Sequence, residues 1–116
     1  IVAAGWKPGC STDKDAVLLA DRFQARTVIN LSNIAYVYDK DPKRYKSAKP
    51  IERMSWRDFG RAFGTKWSPG LNAPFDPVAA QLAKRSGIRA VIADGRDLDN
   101  LELIMDGRAF AGTVLE

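Results

Sequence analysis

The sequence predicts an α/β protein with a mostly parallel sheet, organised as a single domain over residues 1–116. Three observations carry this reading. The apolar runs Thr27–Ser32 and Ile88–Ala93 read as strands buried on both faces, the kind found in parallel sheets. The segments between such runs space their apolar residues at helical intervals and begin at capping residues. Strands and helices then alternate along the chain, the order a layered parallel sheet requires.

Taken in order, Ile1-Val2-Ala3-Ala4 reads as the end of a buried strand. Gly5-Trp6-Lys7-Pro8-Gly9-Cys10-Ser11-Thr12-Asp13 follows as a strand-to-helix loop whose two glycines and proline permit a tight turn and close approach to a ligand. Ser11 or Thr12 can cap the next helix, and its first N–H groups then point into the loop, a geometry that attracts anions such as phosphate. A capped turn with no ligand explains the same residues. The helix is predicted from Thr12 to Gln24, with Ala16, Val17, Leu19, Ala20 and Phe23 as its apolar pattern. Past the first internal strand, Asn33 to Pro42 is a loop with Tyr36 and Tyr38. Asp41, preceding Pro42, is pushed toward extended geometry. Lys40, Lys43, Arg44, Lys46 and Lys49 form a basic run that is either solvated surface or a positive wall beside a nucleotide.

Ser55 is predicted to cap a short helix, Trp56 to Phe63. Gly64 to Pro74 holds two glycines and two prolines and reads as an irregular, mobile loop. Asp76-Pro77 is an N-cap followed by proline at the first helical position. That helix runs to Ser86 and ends at Gly87. After the strand Ile88 to Ala93, Asp94-Gly95 turns the chain and Asp97 caps a helix with Leu98, Leu101, Ile104 and Met105 as its inner stripe. Gly112-Thr113-Val114-Leu115 is a last short strand. Because the chain opens inside an apolar run, it is expected to continue something longer, as a C-terminal portion.

Composition narrows the chemistry. The 116 residues are 46% hydrophobic and 28% charged, as in soluble globular proteins. No apolar run approaches the ~20 residues of a membrane helix, so no membrane partner is expected. The single cysteine excludes an internal disulfide and suits a cytoplasmic setting. With no histidine, the Ser-His and Cys-His nucleophile pairs are excluded, and no metal-ligand set is predicted. The net charge of +4 favours anionic ligands mildly and is too small to argue for nucleic acid. A Walker loop needs a Gly-Lys-Ser/Thr triplet, and none occurs. A dinucleotide fingerprint needs three spaced glycines where this loop has Gly5 and Gly9. A cysteine phosphatase loop would place an arginine where Ala16 stands, so Cys10 reads as a small loop residue. What remains is a phosphate-compatible loop, the acid Asp13 just inside the following helix, and a tyrosine-bearing loop after the next strand. In a parallel sheet both loops emerge at the strand C-terminal edge, where ligands bind.

Four motifs in order carry a resemblance. Gly5-Trp6-Lys7-Pro8-Gly9-Cys10-Ser11-Thr12-Asp13 resembles the glycine-proline loop ending Thr-Thr-Asp in UMP kinases of the amino-acid-kinase superfamily. Leu31-Ser32-Asn33-Ile34-Ala35-Tyr36-Val37-Tyr38-Asp39-Lys40-Asp41-Pro42 is similar to that family's Ala-Thr-Asn-Val-Asp-Gly-Val-Tyr-x-x-Asp-Pro. Asp76-Pro77-Val78-Ala79-Ala80 resembles its Asp-Leu/Pro-x-Ala-Ala helix start. Asp94-Gly95-Arg96-Asp97, with Leu101 and Gly107 and then Gly112-Thr113-Val114, resembles its ending. The likeness spans nearly the whole chain and is greater to the archaeal-type branch.

The resemblance implies the C-terminal half of the amino-acid-kinase fold, a three-layer αβα sandwich, and transfer of the ATP γ-phosphoryl group to UMP with Mg²⁺. It implies UMP on Trp6, Lys7, Pro8, Gly9, Cys10, Ser11 and Thr12, and ATP against Ser32, Tyr38 and Asp41. It gives Asp13 the role of the acid that orients the lysines clamping the transferred phosphoryl group. It also implies a homo-oligomer, a hexamer in the complete protein. From the residues alone, Ser32 could simply end a strand, Tyr38 could be core, and Asp13 could be a helix-dipole partner. Cys10-Ser11 replaces a pair that is usually His-Thr or Phe-Thr, and Ala35-Tyr36 replaces Asp-Gly. The family's Lys-x-Gly-Gly-Ser loop and second Gly-Gly loop have no counterpart in these residues, so the chain alone is expected not to be a working kinase. Two rival expectations are an amino-acid-kinase member acting on a carboxylate or carbamate, and a non-catalytic nucleotide-binding or assembly module.

Overall fold

The computed structural model describes residues 2–66 and 72–116. A four-stranded sheet runs in the order β1-β5-β6-β4, formed by β1 (Thr27–Ser32), β5 (Arg89–Asp94), β6 (Thr113–Leu115) and β4 (Arg53–Met54). β1 with β5 and β4 with β6 are parallel, and β5 with β6 is antiparallel, so the sheet is mostly parallel. A separate two-stranded antiparallel sheet pairs β2 (Val37–Tyr38) with β3 (Pro50–Ile51). The helices are α1 (Thr12–Arg22), α2 (Trp56–Phe63), α3 (Pro77–Ser86) and α4 (Leu98–Met105).

The helix starts form where capping chemistry dictates. Ser11 accepts from Lys14 N, Ser55 from Asp58 N, Asp76 from Val78 N and Asp97 from Asn100 N. Gly87, at φ 65°, closes α3 in the left-handed conformation that glycine takes without a Cβ clash. α3 packs against both α1 and α2. Their apolar stripes meet one face of the sheet in a core of Val17, Val28, Phe59, Phe75, Ala79, Ala83, Ala90, Ile92 and Leu115, among others. Trp56 sits on Phe75 and Phe59 at ring separations of 5.8 and 6.1 Å, and its Nε1 donates to Ile88 O at 3.0 Å. On the opposite face Val91 and Ala93 are also buried, so β5 is covered on both sides as its unbroken apolar run predicts.

Several expectations change. Val2 to Ala4 form no strand and are exposed, Val2 at 99%, because no neighbouring strand among the described residues pairs with them; Ile1 lies outside the described residues. α1 ends at Arg22 rather than Gln24, since Gln24 has φ 58°, incompatible with a continuing helix. Val17 and Ala20 face the core, while Leu19 and Phe23 are exposed. β1 is not buried on both faces: it is an outer strand of the sheet, and Leu31 is 46% exposed. The loop Asn33–Pro42 contains β2, which returns to β3 so that the basic run crowns a hairpin. β4 is a further short strand that the sequence did not suggest. The predicted inner stripe of α4 is largely outward, with Leu98 and Met105 exposed; its buried residue is Asn100. Of the predicted mobile loop Gly64–Pro74, residues 67–71 lie outside the described residues.

Asn100 explains why α4 turns this way. Its Nδ2 donates to Ala111 O at 2.7 Å and its Oδ1 accepts from Ala111 N at 2.8 Å, tying the helix to the segment that leads into β6. Gly112 follows at a close approach, since a Cβ there would lie 2.7 Å from Ile92 O. Asn100→Ala leaves both Ala111 backbone groups without their partner, and a loss of roughly 2 kcal/mol is expected. Urea unfolding of the variant checks this; an unchanged midpoint would show the Ala111 groups satisfied without Asn100.

Candidate functional site

β1 and β5 end side by side at Ser32 and Asp94, and α1 and α3 both begin near that edge. Asp13 Oδ1 accepts from Asn30 Nδ2 at 3.0 Å, linking the first turn of α1 to the later half of β1. Asp13 Oδ2 accepts from Asp76 N at 2.8 Å, linking the same turn to the start of α3. Ser11 Oγ closes the ring by donating to Asp76 Oδ2. The two N-caps are therefore bonded to each other, and the positive ends of two helix dipoles converge.

The loop before α1 is held at two points. Cys10 N donates to Lys7 O at 3.1 Å across Pro8 and Gly9, and Gly9 has φ 82°. Proline and then a positive-φ glycine at the two central positions fit a type II turn. Trp6 N donates to Asp15 Oδ2 at 3.0 Å, while Asp15 Oδ1 is buried and finds no donor among the described residues. The Trp6 side chain is 65% exposed, with Lys7 Nζ 4.1 Å from its ring centroid. Of the first N–H groups of α1, that of Lys14 goes to Ser11 Oγ and that of Asp15 to Ser11 O, which leaves those of Thr12 and Asp13 facing the loop.

Desolvation raises the Asp13 pKa above its ordinary 3.8, and the neighbouring Asp76 charge adds to this, while the Asp76 N–H bond opposes it. Asp94, at the end of β5, is the converse: the Arg96 guanidinium and N–H lower it to about 2. The sequence-predicted residues Trp6 to Asp13 thus lie together at the strand C-terminal edge, with Ser32 at the end of β1. Tyr38 and Asp41 belong to a second body. Tyr38 pairs in β2 and meets Tyr36 edge-on at 6.5 Å, and Asp41 caps the turn that starts the basic run, accepting from Lys43 N at 2.9 Å. Neither bonds to the Trp6–Thr12 loop among the described residues. What holds that second body is Thr113, fully buried in β6: its Oγ1 accepts from Val37 N at 2.8 Å and donates to Ile51 O at 2.5 Å.

Asn30 and Thr113 were missed as site-building residues. A polar Asn30 inside an otherwise apolar strand was the available signal, since such a group needs a partner. Thr113 gave none, because threonine is ordinary in strands.

Two capped helix starts converging at the C-terminal edge of a parallel sheet define a phosphate-compatible α/β site. The chain belongs to the amino acid kinase family, whose model matches residues 2–94. It is 41% identical over 118 aligned positions to a uridylate kinase of Thermoplasma acidophilum, covering 100% of this chain and 51% of that protein. The solved uridylate kinase of Archaeoglobus fulgidus superimposes with a TM-score of 0.78 at 34% identity, over 97% of this chain and 50% of that one. The UMP kinase of Bacillus anthracis shares the fold, with a TM-score of 0.79 at 22% identity over 95% of this chain and 42% of that one. The chain spans about half the length of the curated relatives it matches.

Asp13→Asn tests the junction. The amide can still accept from Asp76 N but cannot accept from Asn30 while its NH₂ faces that donor, a loss of about 1 kcal/mol. Because the folded-state pKa of Asp13 is raised, the native state binds the proton more tightly. Its contribution to stability therefore falls as pH rises from 3.8 through the folded value, then levels off. Urea unfolding of both proteins between about pH 3.5 and pH 7 should show the wild-type advantage shrinking with rising pH. An advantage that grows instead would contradict the raised pKa.

Proposed function

We propose that this chain is the nucleotide-handling half of a kinase that transfers the γ-phosphoryl group of ATP to UMP, giving ADP and UDP. The supporting observation is the paired helix start at Ser11, Asp13 and Asp76, placed on the loop that aligns with proteins named uridylate kinase. A phosphate oxygen of UMP attacks Pγ, and the bond from Pγ to the β–γ bridging oxygen breaks.

UMP lies along Trp6, Lys7, Pro8, Gly9, Cys10, Ser11 and Thr12. Its phosphate takes the N–H groups of Thr12 and Asp13 and the Lys7 ammonium. ATP lies on the side of Ser32, Tyr38 and Asp41. Tyr38 forms a wall for adenine, Asp41 accepts from the ribose or base, and Thr113 holds the hairpin that presents them. Asp13 is a positioning residue here: it aligns the two helix starts, and through the rest of the enzyme the cations on the phosphoryl group.

Among the described residues no three histidine, cysteine or carboxylate side chains gather around one point. A Mg²⁺ ion held by the ATP phosphates, with one or two carboxylates at most from the protein, would neutralise charge on the phosphoryl group. Phosphoryl transfer needs donors preorganised around the moving oxygens. Lys7 and the basic run do not supply enough of them, so the remaining half of the protein does. The complete enzyme acts in the cytoplasm as a homo-oligomer, a hexamer.

In the full-length protein, Asp13→Asn should lower turnover by on the order of 10²-fold with little change in the UMP Michaelis constant. Wild-type turnover would remove Asp13 from the mechanism. Tyr38→Ala should raise the ATP Michaelis constant several-fold, on the scale of ~1 kcal/mol for one aromatic contact. A rise for UMP and none for ATP would mean that the two sites are assigned backwards. UDP formation should be absent with the purified chain alone and return when the separately expressed remaining half is added. Substantial turnover by the chain alone would sink the proposed division of labour.

A further inference from the structure

At the opposite edge of the sheet lies a cavity of about 840 Å³. Its floor is Trp56 and Ile88, each 4% exposed and joined by the indole bond already described. Its rim carries Arg26, Arg57, Lys84 and Arg89. The topology gathers them: Arg26 and Arg89 stand at the starts of the paired strands β1 and β5, Arg57 in the first turn of α2 and Lys84 in the last turn of α3.

None of the four cations has an ion-pair partner among the described residues. The three ion pairs there are Arg53–Glu116, Arg61–Asp58 and Arg96–Asp94. The side-chain acid in the lining, Glu116, is engaged by Arg53 at 2.6 Å, and the Glu116 main-chain oxygen accepts from Trp56 N at 2.9 Å. Asp58, adjacent to Arg57 in sequence, is bonded by Ser55 Oγ and Arg61. Arg89 Nε donates to Thr27 Oγ1 at 2.7 Å, which restrains its guanidinium at the rim. Lys84 meets the negative end of α3, but Arg57 stands at the positive end of α2, where a cation is unfavourable. Like charges around one concavity repel one another and focus a positive potential into it, and a multiply charged anion relieves the repulsion. The volume is within the ~300–1,000 Å³ typical of small-molecule sites.

We infer that this cavity binds a small, multiply phosphorylated anion at a second site. The length of β1, five residue steps or roughly 17 Å, separates it from the loop at the strand C-terminal edge.

The probe is inorganic tripolyphosphate, titrated into the ¹⁵N-labelled full-length protein at low salt and followed by amide chemical shifts. Saturating shifts at Arg57, Gly87 and Arg89 are expected. The double variant Arg57→Gln, Lys84→Gln should weaken that binding at least tenfold. Lys43→Gln with Lys46→Gln, in the basic run, should leave it within about twofold. A dispersed spectrum verifies that each variant is folded, and Arg26→Gln substitutes if the first pair is not. Shifts confined to residues 7–13 or 40–49, or unchanged affinity in the cavity variant, would overturn the site.

Discussion

The half-buried carboxylate of Asp13 is the constraint on which the functional edge of this molecule depends. Removing a carboxylate from water is costly unless donors replace the lost hydration. Here the donors are the Asn30 amide and the Asp76 N–H, one from the sheet and one from the neighbouring helix. A single side chain on α1 is thereby satisfied only when β1, α1 and α3 are in register. The apolar contacts of Val17, Ala79, Ala80 and Ala83 bring the helices together but are less directional. The Ser11–Asp76 bond completes a polar ring at the point where the apolar core ends.

Thr113 does for the second body what Asp13 does for the first. A two-residue strand pair such as β2–β3 is marginal by itself. Among the described residues the Thr113 hydroxyl bridges its two strands, donating to Ile51 O and accepting from Val37 N, and Val114 N donates to the adjoining Glu52 O. Gly112, next to it, leaves no room for a Cβ beside Ile92 O. The position of Tyr38 thus traces back to β6 rather than to the loop that contains it.

What was legible in the sequence follows from range. Ser11, Ser55, Asp76-Pro77, Gly87 and Asp97 mark helix ends because capping is decided within a few residues. The buried run of β5 was legible because both faces demand apolar side chains. The β2–β3 pairing was not, because Val37 and Ile51 are joined across a charged segment whose composition says only that it is solvated. The facing of α4 was misread for a related reason: Leu98, Leu101 and Met105 have core-like spacing, yet the pair of bonds made by Asn100 turns a polar residue inward. Within the candidate site, the loop and Asp13 could be named from order and spacing. Their partner Asn30 could not be, since a contact across seventeen residues is set by strand register.

The two edges of the sheet carry opposite electrostatic arrangements. At the C-terminal edge Asp13, Asp15 and Asp76 stand at the positive ends of α1 and α3 and accept local N–H groups, and Asp94, at the end of β5, is paired with Arg96. Those acids stabilise the helix starts but subtract from the field available to a phosphate. What they leave is a few backbone N–H groups and Lys7, enough to orient an anion. Neutralising a transferring phosphoryl group requires several donors at once. This chain, which matches about half the length of its relatives, thus presents at this edge an anion-orienting loop beside several acids. At the other edge the balance reverses: Arg26, Arg57, Lys84 and Arg89 surround a concavity whose acid is already engaged. The family likeness therefore points to the edge where acids accompany the loop, while the four cations of the cavity stand at the other.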